Sequence, residues 1–358
     1  MGRFIFLCLG ILCCWSEMVE AYEPLSQQAN FCPAPQTRFY KFYIDQKKVD
    51  FYTNFDWNQV ITCVTRLIFV VHGTGRNALA RFQTIVKAAE SVNACEQTLI
   101  ISPFFKTEND EPADDDYFFS NSGWKQGNTS NNAGTHISSF AVADRMMTEA
   151  LTRGYFPNLR NVIVTGHSAG GQYTQRYALT SPLVEQYPNL KFKFAVLNPS
   201  SYTYLDGLRP HPTKIHRFDY PIFTIAGQAI MRPEYLAVAG LCADAYNDYK
   251  YGLERKNSYG NKTSNAKLIK NYLKRDVYYL LGSEDNDEYD DDLDKTCPAK
   301  LEGRTRLDRG VKYSDYLNIY YPQAQHTLEI IPEVDHNSDE MYNSPITTKI
   351  LFDQPQRR

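Results

Sequence analysis

The 358 residues carry 38 Lys and Arg against 41 Asp and Glu, a net charge of −3, and 43% of them are hydrophobic. So balanced a charge gives no argument for nucleic acid or an anionic membrane as partner, and so long and apolar a chain has enough material for one large core. Residues 1–21 read as a secretory signal peptide: Arg3 supplies the positive start, Phe4 to Trp15 the apolar run, and Val19-Glu20-Ala21 a cleavage site. The run is too short to span a bilayer comfortably, and no second stretch is long enough. The expectation is a secreted protein with no membrane span, whose mature part, 22–358, is a single α/β domain.

In chain order, Phe39–Ile44 and Val49–Thr53 read as a short antiparallel entry pair. Leu67–Val71 and Thr98–Ser102 are continuous apolar runs, the pattern of strands buried on both faces. Ser139–Arg153 repeats its apolar residues at helical spacing (Phe140, Val142, Met146, Met147, Ala150, Leu151). Strand-like runs recur at Val162–Thr165, Phe192–Leu197, Ile222–Ile225, Val277–Leu281 and Thr327–Ile331, with helical patterns between several of them. Strands alternating with helices imply βαβ units: a mostly parallel central sheet with helices on both faces. Residues 202–271 break the rhythm. They are rich in Tyr, Pro and Lys and read either as a cap-like insertion or as an irregular surface excursion.

Once Cys8, Cys13 and Cys14 leave with the signal, Cys32, Cys63, Cys95, Cys242 and Cys297 remain. In an oxidising compartment that implies two disulfides and one leftover thiol, with Cys242–Cys297 the first candidate pair because the two flank one region. No cysteine or histidine cluster has zinc spacing, so no metal is expected. Asn128-Thr-Ser and Asn261-Lys-Thr fit the N-glycosylation pattern, which would place both asparagines on the surface.

The chemistry centres on Gly166-His-Ser168-Ala-Gly170-Gly171. A β-branched run enters it and a helix-forming segment, Gln172–Leu179, leaves it. This is the strand–turn–helix setting of a nucleophile elbow, in which glycines allow a sharp turn and hold a serine hydroxyl out at the sheet edge. Taken alone, the pentapeptide is equally a glycine turn. Acyl transfer needs three further parts: a base, an acid that holds the base, and amides for the oxyanion. Of seven histidines only His336, in Val334-Asp-His336-Asn, follows the last strand. Val277–Gly282 runs into Ser-Glu284-Asp285, and the Gly-x-x-Asp spacing points to Asp285, with Glu284 and Asp287 as competitors in the same acidic stretch. The turn His72-Gly73-Thr74 after an earlier strand supplies the oxyanion amide of Thr74, with Gly73 beside it, to complement that of Ala169.

The order of His-Gly turn, Gly166-His-Ser168-Ala-Gly170, Gly282-x-x-Asp285 and His336 resembles the α/β-hydrolase fold family over about residues 67–336. The resemblance implies Ser168 as nucleophile, Asp285 as acid and His336 as base. It also implies cleavage of a small or polymeric ester, with no cofactor. The competing readings are an acyltransferase on the same three residues and a non-catalytic binding or adhesion protein on the same scaffold.

Overall fold

The apolar runs become one eight-stranded sheet: β1 (Arg38–Ile44), β2 (Lys47–Thr53), β3 (Arg66–Val71), β4 (Thr98–Pro103), β5 (Asn161–His167), β6 (Lys191–Leu197), β7 (Asp276–Gly282) and β8 (His326–Ile331). Their spatial order is β1-β2-β4-β3-β5-β6-β7-β8. The pair β1–β2 is antiparallel, β2 meets β4 antiparallel, and every later neighbour is parallel. A computed structural model describes residues 32–242 and 244–352. The leader expected at 1–21 lies outside them.

Period-two alternation explains why the central strands are mostly apolar. In β3, Leu67, Phe69 and Val71 enter one core, while Ile68 and Val70 enter the other. The first core is closed by α2 (Ser139–Thr152), α3 (Ala169–Thr180) and α6 (Arg306–Tyr320). The second is closed by α1 (Ala78–Ser91), α7 (Ser338–Asn343) and α8 (Pro345–Phe352). A strand with a helix layer on each side has no solvent-facing side, and hence few polar positions away from its ends.

Ile222–Ile225 is a strand, but it does not join this sheet. It pairs with Gln228–Met231 in a separate hairpin whose residues are largely exposed. The hairpin lies in the excursion after β6, which also carries α4 (Pro233–Ala239) and α5 (Asn265–Tyr272). This region has a small core of its own: Met231, Tyr235, Ala239, Cys242 and Tyr246 pack with Leu301. The Cys242–Cys297 disulfide ties it to the chain after β7. Its first residues, Tyr202, Tyr204 and Leu205, belong instead to the main core. A second disulfide joins Cys32 to Cys63, and Cys95 is a buried free thiol.

The sequons part company with the expectation that both face solvent. Asn261 is exposed. Asn128 is half-buried, and its Oδ1 accepts a hydrogen bond from Asn257 Nδ2 at 3.1 Å. The tight turn at Gly123–Gly127 draws it inward. When the chain is expressed with a secretory leader in a glycosylating host, Asn261→Gln should remove the glycosidase-sensitive mass and Asn128→Gln should not; the reverse pattern on a mass spectrum would refute this.

Candidate active site

The strand order places every candidate residue at the carboxyl edge of the sheet. The order reverses between β3 and β5: one connection from β3 leads to β4 on one side, and the next returns to β5 on the other. A crevice outside the carboxyl ends of the strands opens at such a reversal. The loop His72-Gly73-Thr74 leaves β3 there and Ser168 leaves β5.

Ser168 has φ 59° and ψ −119°, a backbone conformation rare for a residue with a side chain, and α3 starts at the next residue. Two local features hold it. Its amide donates to the Leu197 carbonyl at 3.0 Å, and its carbonyl accepts from the Gln172 amide at 3.0 Å. The turn can close only because Gly170 has no side chain: a Cβ there would lie 2.3 Å from the Val71 carbonyl oxygen. The amide of Ala169 opens α3, so the positive end of the helix lies directly after Ser168.

His336 and Asp285 come from different strand ends. His336 Nδ1 lies 2.7 Å from Asp285 Oδ2. The loops carrying them are laced together: Glu284 donates to the Val334 carbonyl at 2.9 Å, and Glu333 to the Ser283 hydroxyl at 2.8 Å. Gly282 makes the lacing feasible, since a Cβ there would meet the Val334 carbonyl oxygen at 2.3 Å. The His336 ring centroid is 4.5 Å from that of His167, the residue before Ser168. Burial pushes His167 well below the usual histidine range, so it is neutral. Of the three competing carboxylates, Asp285 is 2% exposed and meets His336. Asp287 is exposed and accepts from the Tyr289 amide at 2.8 Å, while Glu284 is exposed and accepts from Ser283 Oγ.

The sequence reading overlooks Arg306. This fully buried arginine at the start of α6 donates to Asp285 Oδ1 at 3.2 Å, to both oxygens of Asp290 at 3.0 and 3.1 Å, and to the Ser200 hydroxyl at 3.1 Å. Its hydrogen bonds hold the Asp290 carboxyl down at about 2. It therefore fixes Asp285 from the side opposite His336. Nothing in the local sequence marks it, because Asp285 and Arg306 meet only through the fold. Arg306→Met should lower unfolding free energy by about 3–5 kcal/mol, since removing one partner leaves an uncompensated buried charge. A denaturation curve within about 1 kcal/mol of the native protein would contradict this.

His72 is fully buried. Its Nε2 accepts from the Phe105 amide at 3.1 Å, so the proton sits on Nδ1 and donates to the Gly73 carbonyl at 3.0 Å. Burial lowers it to about 4, which keeps it neutral and structural. It anchors the loop that carries Gly73 and Thr74. Arg76 ties the same loop down, reaching the Thr74 carbonyl at 3.0 Å and Asp110 at 2.7 Å. A Cβ on Gly73 would lie 3.8 Å from the His167 carbonyl oxygen, so this loop runs against the serine turn. Among the described residues the Thr74 amide makes no main-chain hydrogen bond and no group of three or more His, Cys, Asp or Glu could hold a metal ion.

No protein-family model and no curated protein matches the sequence. Solved structures do. Poly(aspartic acid) hydrolase-1 from Sphingomonas sp. KT-1 superposes with a TM-score of 0.61 at 20% identity, over 90% of this chain and 100% of that one. A poly(3-hydroxybutyrate) depolymerase from Bordetella parapertussis superposes with a TM-score of 0.59 at 17% identity, over 89% of each chain. The chain has the α/β-hydrolase fold. Ser168 after β5, Asp285 after β7 and His336 after β8 all lie at the carboxyl edge of the sheet.

Proposed function

We propose that the protein is a secreted serine hydrolase that cleaves a carboxylic ester through Ser168, His336 and Asp285. The observation that carries this reading is the His336–Asp285 pair, delivered from the ends of β8 and β7 against the residue that precedes a backbone-strained serine. His336 takes the proton from the Ser168 hydroxyl as its oxygen attacks the acyl carbon. Asp285 holds the proton on His336 Nδ1, leaving Nε2 free to accept, and stabilises the imidazolium that forms. The amides of Ala169 and Thr74 bind the oxyanion, with Gly73 giving the loop its close approach. The imidazolium then protonates the leaving alkoxide. Water attacks the acyl-serine, giving its proton to His336, and the acid departs with Ser168 restored.

An ester rather than an amide is assigned by analogy with the fold. Secretion is supported by the leader-like residues 1–21 and by two disulfides, which persist in oxidising compartments. No helix among the described residues is long and apolar enough to cross a membrane. The reading is tested by incubating the protein purified without its leader with a fluorophosphonate probe and mapping the adduct. Labelling at Ser168 is expected. No adduct under conditions that modify a known serine hydrolase would overturn the enzyme reading in favour of a binding protein.

A further inference from the structure

The turn Trp124–Gln126, in the long connection between β4 and α2, is held more firmly than a surface turn needs to be. Its three successive carbonyls each accept side-chain hydrogen bonds. Trp124 accepts from the Ser139 hydroxyl at 2.6 Å, and Lys125 from Arg176 Nη1 at 3.1 Å. Gln126 accepts from the Tyr249 hydroxyl at 2.6 Å and from Asn257 Nδ2 at 2.8 Å. The Trp124 ring packs on the His72 imidazole at 4.6 Å, next to the Gly73-Thr74 loop. The turn is thus packed against the residue that anchors the Gly73-Thr74 loop, and it carries the half-buried Lys125.

The charges around Lys125 do not balance. Its ammonium has no ion pair and no hydrogen bond among the described residues, and burial pulls it down to about 8. Arg176 is 0% exposed and has no carboxylate partner. It spends one Nη on the Lys125 carbonyl and the other on Ser201 Oγ at 3.0 Å, and its Nε has no partner at all. Lys250 pairs with Asp294 at 3.0 Å, but that carboxylate is also claimed by the Tyr251 and Thr296 hydroxyls at 2.9 and 2.7 Å. Asp292 bears on Lys125 only from an exposed position, and burial pushes the Glu302 carboxyl up to about 8, so that near neutral pH it is mostly uncharged. Three cations therefore share one firmly ionised carboxylate. Cations taken out of water without a partner are unfavourable unless an anion joins them.

The cluster is linked to the nucleophile by α3. Gln172 donates its amide to the Ser168 carbonyl and its Nε2 to Ser201 Oγ at 2.7 Å, the oxygen that Arg176 also reaches. Side chains on a helix lean toward its N-terminus, so Arg176, eight residues after Ser168, points its guanidinium back toward the serine end.

We infer that Lys125, backed by Arg176 and Lys250, is a subsite for a carboxylate of the substrate, so that the preferred substrates are acidic esters whose carboxylate lies several bonds from the scissile carbonyl. This rests on the hydrolase reading above. A partly desolvated ammonium on a turn whose backbone is pinned binds a carboxylate without first ordering the main chain or losing much hydration.

The test compares p-nitrophenyl hemiesters of the dicarboxylic acids from glutarate to suberate with neutral p-nitrophenyl esters of matching chain length. The native protein should favour the acidic ester in kcat/KM by at least about tenfold at one or more lengths. Lys125→Met should shrink that ratio by at least about tenfold, chiefly through KM, and Lys125→Arg should retain most of it. In the native protein the ratio should fall as pH rises through about 8, where Lys125 gives up its proton; this arm needs no variant. Equal use of both series at every length, or a parallel loss on both series in Lys125→Met, would overturn the subsite while leaving the hydrolase. A native protein that takes no fluorophosphonate and hydrolyses neither series would overturn both.

Discussion

Ser168→Ala and His336→Ala are each expected to lower kcat/KM for a p-nitrophenyl ester by about 10⁴- to 10⁶-fold, with the double variant hardly worse than either. The reason is that the two residues act as one unit. Without the hydroxyl there is no acyl acceptor, and without the imidazole the hydroxyl keeps its proton. On the proposed mechanism what survives is the oxyanion site of the Ala169 and Thr74 amides, which still favours the tetrahedral species over the bound ester. Additive losses in the double variant would mean that the two residues serve different steps. Ser168→Ala protein that keeps more than about 1% of native turnover, or still takes the fluorophosphonate, would remove Ser168 as nucleophile. The fold should tolerate the change, because the elbow is set by backbone hydrogen bonds from Ser168 and by the glycine beside it, not by the hydroxyl.

Asp285→Asn should reduce kcat by about 10⁴-fold near neutral pH, whereas Asp287→Asn should stay within about twofold. An amide at 285 can offer His336 Nδ1 a donor, which stabilises the tautomer with its proton on the wrong nitrogen and withdraws the negative charge that steadies the imidazolium. The 2.7 Å contact and the near-complete burial of Asp285 make that charge effective, because few waters screen it. The exposed Asp287 touches no catalytic candidate; its carboxylate caps a turn at Tyr289. Arg306 sharpens the expectation. In Asp285→Asn its Nη1 keeps Asp290 and its Nε keeps Ser200 as partners, so folding should suffer less than activity. A profile in which Asp287→Asn alone is inactive would move the acid to 287.

The layered architecture was legible because burial on both faces leaves a direct mark on composition. Leu67–Val71 and Val162–Val164 are apolar at every position, and both lie in inner strands. The same rule misplaced Ile222–Ile225. A short apolar run has no feature that separates a buried strand from an exposed hairpin arm, and only the chain around it decides. The excursion after β6 was legible as a break in periodicity, while its division between the main core and a small disulfide-tied core was not. Asn128 shows the same limit on a smaller scale, since a sequon records the reach of an enzyme to a local tripeptide and not the packing of Asn257 against it.

Chain order by itself determined the candidate residues Ser168, Asp285 and His336. Each follows the end of a strand by one to five residues, and parallel strands put all such positions on one edge. The Gly-x-x-Asp spacing pointed to Asp285, but its contact with His336 and the exposure of Glu284 and Asp287 were decided by the tertiary structure, because a shift of one or two residues along a turn reverses whether a carboxylate faces the core or the solvent. Arg306, Arg176 and Lys125 also had to wait for it. Their partners are 16 to 51 residues or more away in the chain, and interactions between charges depend on distance and burial in space, quantities that a linear pattern of residues does not encode.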